Sequence, residues 1–76
     1  MVRAFVMVKA AAGAAEDVVT AVRDDERVRE AHVVAGEYDV IAEVEAEEVY
    51  EVLQTVSDGI RSLDGVADTR TYIAMG

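Results

Sequence analysis

The sequence predicts an α+β chain of the ferredoxin-like type, βαββαβ: a four-stranded antiparallel sheet with both helices on one face. Three observations lead there. Two segments repeat apolar residues at helical period, and four others alternate or run in β-branched residues. The order of the six also has an internal echo, since Val28-Arg29-Glu30-Ala31-His32 follows the first helical segment much as Val66-Ala67-Asp68-Thr69-Arg70 follows the second. Each half then reads as one βαβ unit.

The first strand covers Val2–Lys9. Val2, Ala4, Val6 and Val8 lie on one side, and Arg3, Phe5, Met7 and Lys9 on the other. Phe5 and Met7 make that second side partly apolar, where an open antiparallel sheet with helices on one face would show polar residues to water. The expectation is that another subunit covers it. After the small-residue connection Ala10-Ala11-Ala12-Gly13, a helix is predicted from Ala14 to Asp25. Ala15, Val18, Val19 and Val22 form its apolar stripe, and Glu16 and Asp17 suit its N-terminal dipole. Asp24-Asp25-Glu26 is unfavourable at a helix C-terminus and marks the stop.

A second strand is expected over Val28–Ala35 and a third over Tyr38–Glu45. Between them Gly36, Glu37, Tyr38 and Asp39 form the turn of a β-hairpin, with Gly36 expected at positive φ. Tyr38, Val40, Ala42 and Val44 share one face of the third strand; Asp39, Ile41, Glu43 and Glu45 share the other. The second helix starts near Ala46-Glu47-Glu48. Its stripe of Val49, Val52, Leu53, Val56, Ile60 and Leu63 is the strongest periodic signal in the chain. Gly59 interrupts it, costs about 1 kcal/mol relative to alanine, and marks either close packing or a kink. Gly65 is a left-handed cap after Leu63, and the last strand runs over Ala67–Ala74.

Length and charge limit the function. The 76 residues make one domain, 1–76, of a size that buries only about 60% of its unfolded surface. Without cysteine, disulfides and thiolate metal sites are excluded; a single histidine, His32, argues against a histidine metal site. Self-association is the remaining reinforcement. Sixteen acidic against seven basic residues give a formal charge of −9, which opposes direct approach to a nucleic-acid backbone. Lys9 is the only lysine, and with the Ala- and Val-rich core this composition resembles the proteins of salt-adapted, halophilic organisms. No apolar run reaches the roughly 20 residues needed to span a membrane, no basic stripe suits a membrane surface, and no signal peptide is visible, so a cytoplasmic protein is expected.

Catalytic readings are weak. Glycine-rich phosphate loop, nucleophile elbow and histidine cluster are all missing, and no cofactor is implied. Glu43 and Glu45 imitate a carboxylate pair, but in so acidic a chain a solvated strand face or an interface rim explains them better. A surface or interface role likewise explains His32 better than a proton shuttle. The hairpin is more informative. Backbone N–H groups around Gly36 suit a small carboxylate, Asp39 or Glu37 suits an ammonium group, Thr69 and Thr71 add hydroxyls, and Val34, Tyr38 or Ile73 suits an apolar side chain. Together these complement a free amino acid. Asp39 as a turn residue bonding its own backbone is an equally good reading.

Two stretches resemble a known family. Val33-Val34-Ala35-Gly36-Glu37-Tyr38-Asp39-Val40 is similar to the V-x-G-x-[YF]-D-[YVL] hairpin of the Lrp/AsnC (feast/famine) transcription regulators. Gly65-Val66-Ala67-Asp68-Thr69-Arg70-Thr71-Tyr72-Ile73 resembles the G-V-x-x-T-x-T-x-[IV] strand that ends their effector domain, the RAM domain. The resemblance covers nearly the whole chain. It implies sheet-to-sheet dimers, higher rings of dimers, and an amino acid or related effector held between dimers near the hairpin. By position, Gly36, Glu37, Tyr38 and Asp39 would form the ligand loop, and Thr71, Tyr72 and Ile73 the effector-responsive part of the last strand. The family's regulators carry an N-terminal helix-turn-helix domain, whereas this sequence opens at the first effector strand and resembles the stand-alone members. The expected function is an amino-acid-responsive effector-binding and oligomerisation module that acts on transcription without binding DNA itself, alone or with full-length relatives. Two alternatives remain: a small dimeric ferredoxin-like-barrel enzyme such as a cofactor-free monooxygenase, and a ligand-free structural oligomerisation partner. The mostly Ala and Val inward positions argue against the enzyme.

Overall fold

A computed structural model describes residues 1–76. Strand β1 covers Val2–Ala10, helix α1 Ala15–Arg23, β2 Val28–Val33, β3 Val40–Ala46, helix α2 Val49–Gln54 and β4 Val66–Ile73; between α2 and β4 the helix continues as a π-helical segment, Thr55–Ile60. All strand pairs are antiparallel, in the order β2-β3-β1-β4. The predicted ferredoxin-like βαββαβ arrangement is therefore the observed one.

Alternation within the two central strands builds the core. Ala4, Val6 and Val8 of β1 and Val40, Ala42 and Val44 of β3 have no solvent exposure. They join Ala31 of β2, Ala46 of β3, Val18, Val19 and Val22 of α1, and Val52, Val56 and Ile60 of the second helical stretch, in one apolar cluster. Small and β-branched side chains let both helices lie close on this single face. Burial contributes about 1.5–3 kcal/mol for each full-sized side chain.

Helix α1 begins one residue later than the spacing predicts and ends at Arg23, leaving Asp24 and Asp25 beyond it. No side chain caps its N-terminus; Glu16 and Asp17 supply the favourable charge. The second helix departs further from expectation. Ala46 ends β3 rather than opening the helix, which starts after Glu48, where the Glu51 carboxylate accepts from the N–H groups of Glu47 and Glu48. Val52, Val56 and Ile60 are buried as the stripe requires, but Val49 and Leu53 are 45% and 53% exposed. Leu53 sits one residue, about 100°, past Val52 and so turns out to the margin, while Thr55 takes an interior place. The expected core-facing role fails at those two positions.

Of the two readings that its sequence position left open, Gly59 shows close packing. It lies in the π-helical segment, and a Cβ there would come within 2.8 Å of the Asp25 carboxylate. Gly65 takes φ +90° as predicted, in the turn that joins Leu63 to β4.

The outer face of the sheet carries Phe5 and Met7 of β1, Ile41 of β3 and the 59% exposed Tyr72 of β4. Ion pairs border them: Arg3 Nε lies 3.4 Å from Glu43 and 3.6 Å from Glu45, and Arg29 Nε lies 3.6 Å from Glu45. The two carboxylates that imitate a catalytic pair are thus bridged by arginine.

Candidate functional site

The β2–β3 connection is wider than a tight hairpin. β2 ends at Val33 instead of Ala35, and β3 begins at Val40 instead of Tyr38, leaving residues 34–39 as the connection. One cause lies in Asp39. Its N–H donates to the Val8 carbonyl and its own carbonyl accepts from Val34, so the residue is held by β1 as much as by β2. Its side chain is committed as well, with Oδ2 accepting from Ala10 N–H at 2.8 Å, beside the irregularity at Lys9/Ala10 where the β1–β4 register shifts. The Asp39 side chain thus bonds the backbone of a neighbouring strand, not that of its own turn.

Gly36 is a correction. Its φ is not positive; only Gly13 and Gly65 are left-handed in this chain, and a Cβ at Gly36 would meet nothing within 4 Å. Six residues spread the reversal, so no single position needs a conformation reserved for glycine.

Tyr38 is a second correction. It does not continue the buried face of β3; its hydroxyl accepts from Arg70 Nε at 3.2 Å. Arg70 is paired with Met7 and so stands on the outer face of β4. This bond, with the Asp68 carboxylate nearby, raises the Arg70 pKa above its ordinary value. Lys9 Nζ donates to the Glu37 carbonyl at 3.0 Å. At the apex, the N–H groups of Ala35, Gly36, Glu37 and Tyr38 make no hydrogen bond within the chain. Four consecutive donors are thus open to solvent, beside two cations.

Not all predicted site residues converge there. Gly36, Glu37, Tyr38 and Asp39 share the apex at the Val8–Ala10 end of β1. Thr71 is paired with Val6 and Ile73 with Ala4, which puts both on the helix-side face, whereas Tyr72 is paired with Phe5 on the outer face. Ile73 lines an open groove of about 540 Å³ at the other end of the sheet, with Met1, Val2, Val49 and Met75. A second groove of about 360 Å³, lined by Arg27, Arg29 and four glutamates, lies at that end too. Neither reaches the hairpin, and no three His, Asp or Glu side chains are grouped to hold a metal. His32 is exposed, 3.1 Å from Glu30. Sequence reasoning missed Lys9 and Arg70. The signals were present, because Lys9 is the only lysine and Arg70 stands between Thr69 and Thr71, but only the register shows that they meet the hairpin.

This geometry defines a class of fold: a small ferredoxin-like domain with open backbone donors at a loop apex. More specifically, the family model of the Lrp/AsnC ligand binding domain matches residues 3–76, and the chain belongs to that family. The family is one of regulatory ligand-binding domains, not of enzymes. TTHA0845 from Thermus thermophilus is 33% identical, with a TM-score of 0.96, over 100% of this chain and 95% of that one. The proline dehydrogenase transcriptional activator of Rhizobium radiobacter is 32% identical over 62 residues, covering 82% of this chain and 40% of that protein. The chain therefore spans about two fifths of the length of this curated relative. The transcriptional regulator NMB0573 of Neisseria meningitidis, solved as a complex with L-Met, has a TM-score of 0.87 at 23% identity, over 99% of this chain and 50% of that one, a likeness of fold. No helix here is long and apolar enough to cross a membrane.

Proposed function

We propose that this chain is an amino-acid-responsive effector module that couples ligand binding at the 34–39 hairpin to self-assembly, and so modulates transcription of amino-acid metabolism without contacting DNA itself. The observation that carries the reading is the apex: four open N–H donors beside Lys9 and Arg70. A regulatory role follows from the family, and two relatives point to amino acids, one by its name as an activator of proline dehydrogenase and one by its L-Met complex.

Neither groove of the single chain reaches the hairpin, so a ligand there would be enclosed only when a second subunit covers it. Pairing of outer sheet faces through Phe5, Met7, Ile41 and Tyr72 supplies the dimer, and contacts between dimers at the hairpin enclose the effector. Full-length Lrp/AsnC regulators are candidate partners in mixed assemblies, and the charge of −9 disfavours direct DNA contact. The effector is an amino acid, with Gly36, Glu37, Tyr38 and Asp39 forming the loop that surrounds it and Thr71, Tyr72 and Ile73 the strand through which binding reaches the assembly.

Native mass spectrometry of protein purified without added ligand, followed by calorimetry against the twenty L-amino acids, tests both halves. Even-numbered assemblies with a retained or titratable amino acid are expected. A monomer that gives no heat with any of them overturns the proposal.

A further inference from the structure

The helix layer carries an apolar surface that the packing of the domain leaves open. Val49, Tyr50 and Leu53 of α2 are all exposed, Tyr50 by 65%. At about 100° per residue the three span an arc of about 100° on one side of the helix, with Leu53 between the other two. Val52 lies outside that arc and is fully buried. Val49 also lines the open groove of about 540 Å³ with Met1, Val2, Ile73 and Met75, so the helix stripe and the groove are continuous. Five of the seven large apolar side chains that this chain exposes lie here, the three of α2 with Met1 and Met75.

Acidic side chains frame this surface. Glu47 and Glu48 stand at the N-terminal end of the stripe, and Asp58 follows in the π-helical segment; all three are exposed and none makes an ion pair. Arg61 is the one cation between Glu47 and Asp64. Glu16 and Asp17 of α1 add exposed acids to the same layer. These charges select what can cover the stripe. A second copy would set acid against acid between chains of formal charge −9, and an anionic lipid surface or a phosphate backbone is repelled in the same way. A cationic protein segment is attracted, with apolar residues for the stripe and ammonium or guanidinium groups for its rim. The helix-side position also keeps the surface open when the outer sheet faces pair.

We infer that the α2 stripe and the groove beside it dock a basic amphipathic helix of a partner protein. Val49, Tyr50 and Leu53 supply the apolar contact, in the way that one helix lays its apolar face against another. Glu47, Glu48 and Asp58 favour positive charge on the incoming helix and so set its specificity. Docking here leaves the 34–39 hairpin free, because the groove does not reach it. Partner binding and response to a small effector are therefore separable by experiment.

Fluorescence anisotropy of the full chain with two labelled synthetic helices, each of about four turns, tests it. Both carry leucine at i, i+3, i+4 and i+7; one has lysine at its flanking positions and the other glutamate. At low salt the lysine helix should bind at least about tenfold tighter than the glutamate helix, and the difference should narrow as KCl rises. The double variant Tyr50→Ala/Leu53→Ala should lose about tenfold or more for the lysine helix. Glu47→Gln/Asp58→Asn should lose about threefold for that helix alone. All four positions are exposed, so the urea midpoints should stay near wild type. Equal affinity for the two helices at low salt overturns the charge selection, and unchanged affinity in Tyr50→Ala/Leu53→Ala overturns the placement. No binding of the lysine helix overturns the inference outright. So does binding to phosphatidylserine vesicles in its place, which would give the surface to a membrane, or a fall in light-scattering mass in Tyr50→Ala/Leu53→Ala, which would give it to a second copy.

Discussion

Replacing Gly65 and Gly36 by alanine separates two glycines that look alike in sequence. Gly65 has φ +90°, and an added Cβ would lie 2.9 Å from Ala14 Cβ and 3.3 Å from Val18 Cγ2. The left-handed backbone costs an L-residue about 1–2 kcal/mol. Crowding adds to this, because Val18 is 1% exposed and cannot swing aside, and an overpacked methyl costs about 1–3 kcal/mol. Gly65→Ala should therefore lose about 2–5 kcal/mol, or roughly 8–40 °C in Tm for a domain of this size. Gly36→Ala has neither problem, since its φ is not positive and its surroundings are open. It should be neutral, or gain about 0.4–1 kcal/mol by restricting the unfolded chain. Urea and thermal unfolding of both variants at one protein concentration reads the difference, the fixed concentration removing any contribution from assembly. A Gly36→Ala protein less stable than Gly65→Ala would refute the assignment of backbone conformations.

Three further outcomes follow from the packing and the charge. Val6→Ala removes two methyl groups from a site with no solvent exposure and should cost about 2–3 kcal/mol in urea unfolding, transfer and cavity terms together. Arg27→Met removes donors that reach Thr55 Oγ1 and Glu51 Oε2, both at 3.2 Å; because Thr55 is buried, a loss of about 1–2 kcal/mol is expected, against less than about 1 kcal/mol for Arg29→Met, whose pair with Glu45 is largely exposed. With a formal charge of −9, Tm should rise between low salt and multimolar KCl as self-repulsion is screened to a Debye length of about 3 Å at 1 M, and equal stability in both would rule out salt adaptation.

Assembly can be read independently of ligand. Phe5→Glu places a charge in the middle of the outer apolar face without touching the core. Light scattering should show dimers and larger species falling to monomer; an unchanged mass would mean that the subunits pair elsewhere.

Much of this molecule is written in local pattern. Alternation in Val2–Val8 and Val40–Val44 determined which side of the sheet is core, because side chains on a strand point to opposite faces in turn. Helical spacing located Val18, Val19 and Val22, and Val52, Val56 and Ile60. Element order then left the ferredoxin-like arrangement as the topology, and the hairpin and last-strand motifs placed the chain in its family. What local pattern does not contain is which strands become neighbours and how an irregular segment settles on them. The exposure of Leu53 and the burial of Thr55 depend on the turn at which the second helix meets the sheet. The ordinary backbone of Gly36 depends on a loop held open by Asp39 bonding to β1, 29 residues from Ala10 in sequence. Lys9, Tyr38 and Arg70 belong to three separate segments, and only antiparallel pairing through β1 brings their polar atoms within hydrogen-bonding distance of the hairpin. Periodicity is a property of consecutive residues, and a binding surface is a property of residues that the fold brings side by side.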